Sequence, residues 1–156
     1  MSEKKKERRY IMTLNNFITK SDITHFKGVN NKQFISISNT HFRISLGAVE
    51  VMDLKNIDKI CIEIFEKEGN LYLKIHDAKT IKESSIEKFK LTSHAHNRLE
   101  FRTSSIRNLL SSKLSRNDQG MIYFYCINSE KDPFTYIYSE KKPKQYFLDT
   151  YYKKIE

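Results

Sequence analysis

One pattern constrains this chain more than any other: the same order of short runs is written twice. Phe34-Ile35-Ser36-Ile37-Ser38 alternates apolar and polar residues with a period of two, Asn39-Thr40 allows a turn, and Phe42-Arg43-Ile44-Ser45 alternates again. Such alternation places one face of a strand in a core and the other outside. Ser45 is suited to cap a helix, its oxygen accepting an amide of the next turn. Val49 and Met52, with Leu46 or Leu54, then form an apolar helical face. Ile60, Ile62 and Ile64 point one way along the following strand, and Cys61, Glu63 and Phe65 the other. Glu68-Gly69-Asn70 provides residues tolerant of positive φ for a hairpin, and Leu71, Leu73 and Ile75 return.

The second run repeats that order. Phe89-Lys90-Leu91-Thr92 is strand-like, and Leu99-Glu100-Phe101-Arg102 alternates after the polar break Ser93-His94-Ala95-His96-Asn97. Thr103 or Ser104 caps a helix whose apolar face is Ile106, Leu109, Leu110 and Leu114. The segment 115–120 ends it with turn residues and a glycine. Met121 to Ile127 is apolar and rich in β-formers, residues 129–133 turn, and Phe134 to Tyr138 returns. Phe42, Ile44, Val49 and Met52 have the same spacing as Leu99, Phe101, Ile106 and Leu109. The repeat is one of order, not of residue identity.

The expected fold is therefore α+β: two related strand-strand-helix-strand-strand halves, at 34–77 and 78–140, forming an intertwined or packed β-rich pseudo-dimer. A half of that size buries too little apolar surface to stand alone. Residues 1–33 read as a basic tail and connecting segment, with Ile11, Leu14, Phe17 and Ile18 matching a helical stripe. Residues 141–156 read as a basic C-terminal helix beginning after Pro143.

The formal charge of +9 is unevenly distributed. Residues 1–10 and 141–156 each carry +3, residues 34–77 carry −2, and residues 78–140 carry +3. A basic balance favours a polyanionic partner through steering and counterion release, although terminal lysine runs also serve solubility. Cys61 and Cys126 sit in strand-like runs without metal-ligand spacing and read as reduced thiols of a cytoplasmic protein. No apolar run has the length of a membrane span, and the charged N-terminus lacks the apolar core of a secretory signal.

The order "FRIS", helix, "DKICIEIFEKEGNLYLKI" resembles the swapped-hairpin, AbrB-like family of DNA-binding domains. Arg43-Ile44-Ser45 stands near that family's Gly-Arg-hydrophobic-hydrophobic-Pro segment. Asp58-Lys59-Ile60-Cys61-Ile62-Glu63-Ile64 stands near its Gly-Asp-hydrophobic-Glu-hydrophobic signature. The match covers residues 40–76, with a poorer copy at 97–138. Neither copy has the glycine before the arginine or the proline before the helix, and the second lacks the Asp-hydrophobic-Glu element. The resemblance implies interlocked strands closing one core, and basic residues on one face of the sheet meeting DNA. Arg43 carries over by position, with Arg98 and Arg102 as second-copy counterparts.

His94-x-His96 is the one tight histidine pair, and no carboxylate or cysteine stands beside it, so a polar turn is the plainer reading. Four scattered glycines build no phosphate loop. No nucleophile-base pattern stands out, and neither an enzyme nor a cofactor is expected.

Nucleic acid is the expected partner, DNA before RNA. The helix near 104–114 carries Arg107 and Lys113 among serines, and Arg98, Arg102 and Arg116 flank it. Arginine forks suit phosphates and base edges alike. Tyr123, Tyr125, Tyr136 and Tyr138, in two adjacent strands, suit stacking on unpaired bases, the margin of a core, or a protein interface. The competing expectation is a protein-interaction module, such as an inhibitor from a phage or other mobile element that occupies a partner's surface. A homodimer is compatible with either.

Overall fold

Alternation does produce strands here, and turn chemistry joins them. The computed structural model describes residues 32–93 and 98–155. The first segment runs β1 (Phe34–Ile37), β2 (His41–Ile44), α1 (Leu46–Met52), a 3-10 turn (Leu54–Asn56), β3 (Lys59–Lys67) and β4 (Asn70–Asp77). After a second 3-10 turn (Ala78–Thr80) come β5 (Phe89–Lys90), β6 (Thr92–Ser93), β7 (Leu99–Arg102), α2 (Ser105–Leu114), β8 (Ile122–Asn128) and β9 (Asp132–Ser139). Helix α3 spans Pro143–Ile155.

The chain divides into two compact units, residues 30–140 and a second made of 1–29 with 141–156. Of the second, α3 is described: Pro143 opens it, where a missing N–H costs nothing. Asp149 accepts from Gln145 within it and from Lys141 two residues before it, both at 2.6 Å. Residues 10–18 and the His94/His96 pair lie outside the described residues.

The unit 30–140 is a mixed α+β structure around one antiparallel sheet of nine strands, in the order β5-β3-β4-β9-β8-β1-β2-β7-β6. Its two end strands, β5 and β6, are separated in the chain by Leu91 alone. The sheet therefore curls until its ends come within one residue of closing, and the Leu91 amide donates to Asp58 O at 3.3 Å, extending the β3–β5 ladder up to the gap. Closure of this kind removes most exposed strand edges. A cleft of about 430 Å³ lies at the seam, lined by Leu54, Ile57, Asp58, Leu91, Ser93 and Leu99 among others.

Hairpins alternate around the sheet. The β3–β4 hairpin lies between β5 and β9, and the β1–β2 hairpin lies between β8 and β7. No strand of the β1–β2 hairpin neighbours a strand of β3–β4, although the two are consecutive in sequence. Register carries the apolar set inward on the seven longer strands: Ile35 opposes Ile44 and Phe124, Phe42 opposes Phe101, Leu73 opposes Tyr136 and Ile64, and Ile75 opposes Ile62. Ile35, Ile37, Phe42, Ile44, Leu73 and Phe124 are completely buried. Each such side chain contributes about 1.5–3 kcal/mol relative to exposure. Val49, Met52 and Leu54 bury beside them, with Leu46 partly exposed.

Local chemistry behaves as the residues imply at two further points. Glu68 and Gly69 both take positive φ (+52° and +82°), making a two-residue turn whose twist matches the flanking strands. Ser45 caps α1: its Oγ accepts from Ala48 N (3.2 Å) and Phe34 N (3.1 Å) and donates to Lys32 O (2.6 Å). Ser45 is itself buried, so Ser45→Ala strands two amides and a carbonyl. A loss of about 1–2 kcal/mol is expected, read as a lower urea midpoint at constant m-value.

The structure departs from the pattern in α2. Leu109 is 49% exposed, and Arg107 takes the buried place that the expected apolar face assigned to it. Ser104 occupies the cap position, but its side chain makes no capping bond. The expected continuous strand at Phe89–Thr92 breaks at Leu91, which sends its two pieces to opposite ends of the sheet.

Candidate nucleic-acid interface

Period-two alternation that turns Phe42, Ile44, Leu99 and Phe101 inward turns His41, Arg43, Glu100 and Arg102 outward. Register then sets His41 opposite Arg102 and Arg43 opposite Glu100 on the paired strands β2 and β7. Arg98 stands one residue before β7. The carboxylate organises this group: Arg43 Nε donates to Glu100 Oε1 at 2.9 Å, and His41 Nε2 lies 3.9 Å from Oε2. Thr40 Oγ1 sits 2.8 Å from His41 Nδ1 and fixes the imidazole plane. Arg102 is exposed, and its guanidinium has no hydrogen-bond or ion-pair partner among the described residues. Two arginines against one glutamate leave the group net positive, and Arg98 stands beside it in the chain.

Chemically, such a group can hold a phosphate oxygen. One arginine is oriented by a carboxylate, and a second is available for a bidentate contact. Two of the six cations named from sequence, Arg43 and Arg102, thus share one patch, and Arg98 stands one residue before the strand of Arg102. His41 and Glu100 belong to the patch as well. Sequence reasoning passed over both, since only the β2–β7 register reveals that they meet.

The other three cations serve α2 and the loop after it. Arg107 is 3% exposed, and its Nη2 donates to Asp118 O (3.0 Å) and Gly120 O (2.7 Å). It braces the loop 115–121 and is not accessible to a polyanion, which corrects the expected phosphate contact. Arg116 clasps Asp118 with Nε (3.0 Å) and Nη2, and donates to Met121 O. The Arg116 hydrogen bond, with a second from the Gly120 amide, holds the Asp118 carboxyl pKa down at about 2, and the bond to Asp118 pushes that of Arg116 upward. Lys113 is exposed in the last turn of α2, where a cation complements the helix dipole.

The four tyrosines divide between the two faces of the sheet. Tyr136 opposes Cys126 and Tyr138 opposes Phe124, so both point inward, whereas Tyr125 opposes Ile137 on the outer face, which Tyr123 shares. Tyr125 and Tyr136 are completely buried, and burial raises the Tyr136 hydroxyl well above its usual range. A base-stacking platform of all four is therefore not built, correcting that expectation. Instead Tyr125 belongs to an apolar row crossing five strands, Phe34–Tyr125–Ile137–Tyr72–Phe65, with Phe65 and Tyr72 stacked at 5.3 Å. The parallel row one step along, Tyr123–Ser36–Arg43–Glu100–Thr92, is polar.

Among the described residues, no three His, Cys, Asp or Glu side chains are grouped to hold a metal, and no helix is long and apolar enough to cross a membrane. Comparison with family models, curated proteins and solved structures found no match to the chain.

Proposed function

We propose that this is a non-enzymatic nucleic-acid-binding protein, a DNA-binding regulator built as a single-chain pseudo-dimer of the swapped-hairpin kind. The observation that carries the reading is that Arg43 from one half and Arg102 from the other stand on the outer face of the paired strands β2 and β7, with Arg98 one residue before β7. Pairing of Phe42 with Phe101 and of Ile44 with Leu99 brackets Arg43 and Glu100 in a register that is unchanged when the halves are exchanged. Alternation of hairpins from the two halves around the sheet supports the same reading. The AbrB-like resemblance at residues 40–76 supports it independently. Arg43, Arg98 and Arg102 hold the phosphates, His41 extends the patch, Lys113 adds an outlying contact, and terminal lysines add sequence-independent affinity.

The test is fluorescence anisotropy of the full chain with labelled duplex DNA, single-stranded DNA and RNA across a salt series. Changing Arg43, Arg98 and Arg102 together to Ala is expected to weaken duplex binding by at least ~30-fold near ~100 mM salt. The log-log salt slope should also flatten by roughly 2–3. Unchanged affinity assigns binding to the terminal lysines instead. No binding to any of the three at low salt overturns the reading and turns the search to a protein partner.

A further inference from the structure

Closure of the sheet leaves a long strand edge unpaired among the described residues. Along one side, β3 pairs with β4 from Ile60 opposite Asp77 to Lys67 opposite Asn70, without a bulge. Along the other side, only Lys59 and Ile60 have strand partners, Lys90 and Phe89 of β5. From Cys61 to Lys67 that second edge has no partner strand among the described residues.

Parity identifies the groups left over. The two-residue turn Glu68–Gly69 makes Lys67 and Asn70 a hydrogen-bonded pair, and bonded pairs recur at every second residue of an antiparallel ladder. Cys61, Glu63, Phe65 and Lys67 therefore direct their amides and carbonyls to β4. Ile62, Ile64 and Glu66 direct theirs outward, along the open edge. Natural sheets blunt such edges with proline, bulges, charged side chains or a covering strand; among the described residues β3 has only the charges.

The side chains along the edge select its occupant. Glu63, Glu66 and Glu68 are exposed, with Lys67 the one cation among them. Glu63 meets His76 of β4 at 2.9 Å, and Lys74 stands opposite it in register. Glu66 faces Leu71 across the ladder and has no cation opposite. A second copy of this strand would set acid near acid, whereas an extended segment with basic side chains complements it. We propose that the Ile62–Glu66 edge of β3 binds an extended, basic peptide segment of a partner protein by strand addition. Backbone groups of Ile62, Ile64 and Glu66 supply the hydrogen bonds, and Glu63 and Glu66 the charge selection. This site is separate from the β2–β7 patch and does not depend on its role.

Hydrogen exchange followed by NMR, together with calorimetric titration, tests this on the full chain. The probes are two short synthetic peptides, one alternating Lys and Val, the other Glu and Val. In the free protein the amides of Ile62, Ile64 and Glu66 should exchange fast while those of Glu63 and Phe65 stay protected. The basic peptide should slow the first set by at least ~10-fold, and the acidic peptide should not. Glu66→Pro removes an outward N–H that the sheet does not use, so it should cut affinity by about tenfold or more without moving the thermal midpoint. Glu63→Lys with Glu66→Lys should reverse the preference between peptides. Protection of Ile62, Ile64 and Glu66 in the free protein overturns the proposal. So does a failure of the basic peptide to bind, equal binding of both peptides, or undiminished binding by Glu66→Pro.

Discussion

Phe101→Ala should be among the most destabilising single changes in the barrel, lowering stability by about 3–5 kcal/mol. Its ring stacks on Phe42 of β2 at 4.8 Å and on Phe89 of β5 at 4.4 Å, with interplanar angles of 18° and 21°. Phe101 stands on β7, next to one end of the sheet, while β5 is the other end. The three-ring stack therefore bridges the gap that hydrogen bonding leaves open at Leu91. Removing the middle ring leaves a cavity and deletes two aromatic contacts worth about 0.5–1.5 kcal/mol each. In a domain whose whole stability is of order 5–15 kcal/mol, that is a large share. Urea unfolding gives the magnitude, and exchange at the Leu91 amide, which should speed up, reports the opening of the seam. Phe65→Ala is the comparison. Phe65 also stacks on one neighbour, but on the partly exposed outer face, so its loss should cost about 1–2 kcal/mol. Equal costs for the two would mean that the stack does not close the barrel.

The second large effect is expected at Arg107, on stability and not on binding. Arg107→Ala removes a charged donor from two loop carbonyls and leaves Asp118 O and Gly120 O without it. The expected cost is about 3–5 kcal/mol. Arg107→Lys keeps the charge but cannot reproduce the planar fork and should fall between the two. Thermal unfolding measures the loss, and exchange across residues 115–121 should rise with it. Under conditions where the variant is still folded, duplex affinity should stay within about twofold of the parent. A stable Arg107→Ala protein with weakened DNA binding would return Arg107 to the phosphate-contacting set and contradict the bracing role.

The comparison of these residues shows how far pattern alone reaches. Ser45, the Glu68–Gly69 turn, the inward parity of Ile60, Ile62 and Ile64, and the helix beginning at Pro143 were all legible, because each depends on neighbours within a few positions. A cap needs an oxygen beside free amides, a type of turn needs residues that tolerate positive φ, and a strand with one buried face must alternate. Arg43, Arg98 and Arg102 were legible as candidates because arginine on an alternating strand points outward whenever its apolar neighbours point inward.

Their meeting place was not legible. Period two says that a strand has two faces but not which strand lies beside it. His41 and Glu100 gain their relation to the arginines only when β2 pairs with β7 across more than fifty residues of chain. The tyrosines show the same limit. Within β8 or β9 their common face follows from spacing, yet the register between the strands, which sets Tyr136 opposite Cys126 and Tyr125 opposite Ile137, puts one pair inside and the other outside. Arg107 is the clearest case: an arginine on a short helix reads as a solvated cation until a loop folds its carbonyls over it.

Local pattern thus set most of the elements, their order and which side of the longer strands is apolar, since those follow from local sterics and from the cost of exposing apolar surface. The sheet order, the near-closure at Leu91, the grouping of cations on β2 and β7, and the open edge of β3 arise only in the folded chain. Each of those depends on long-range register, where many pairings satisfy the same alternation and the shared core selects one.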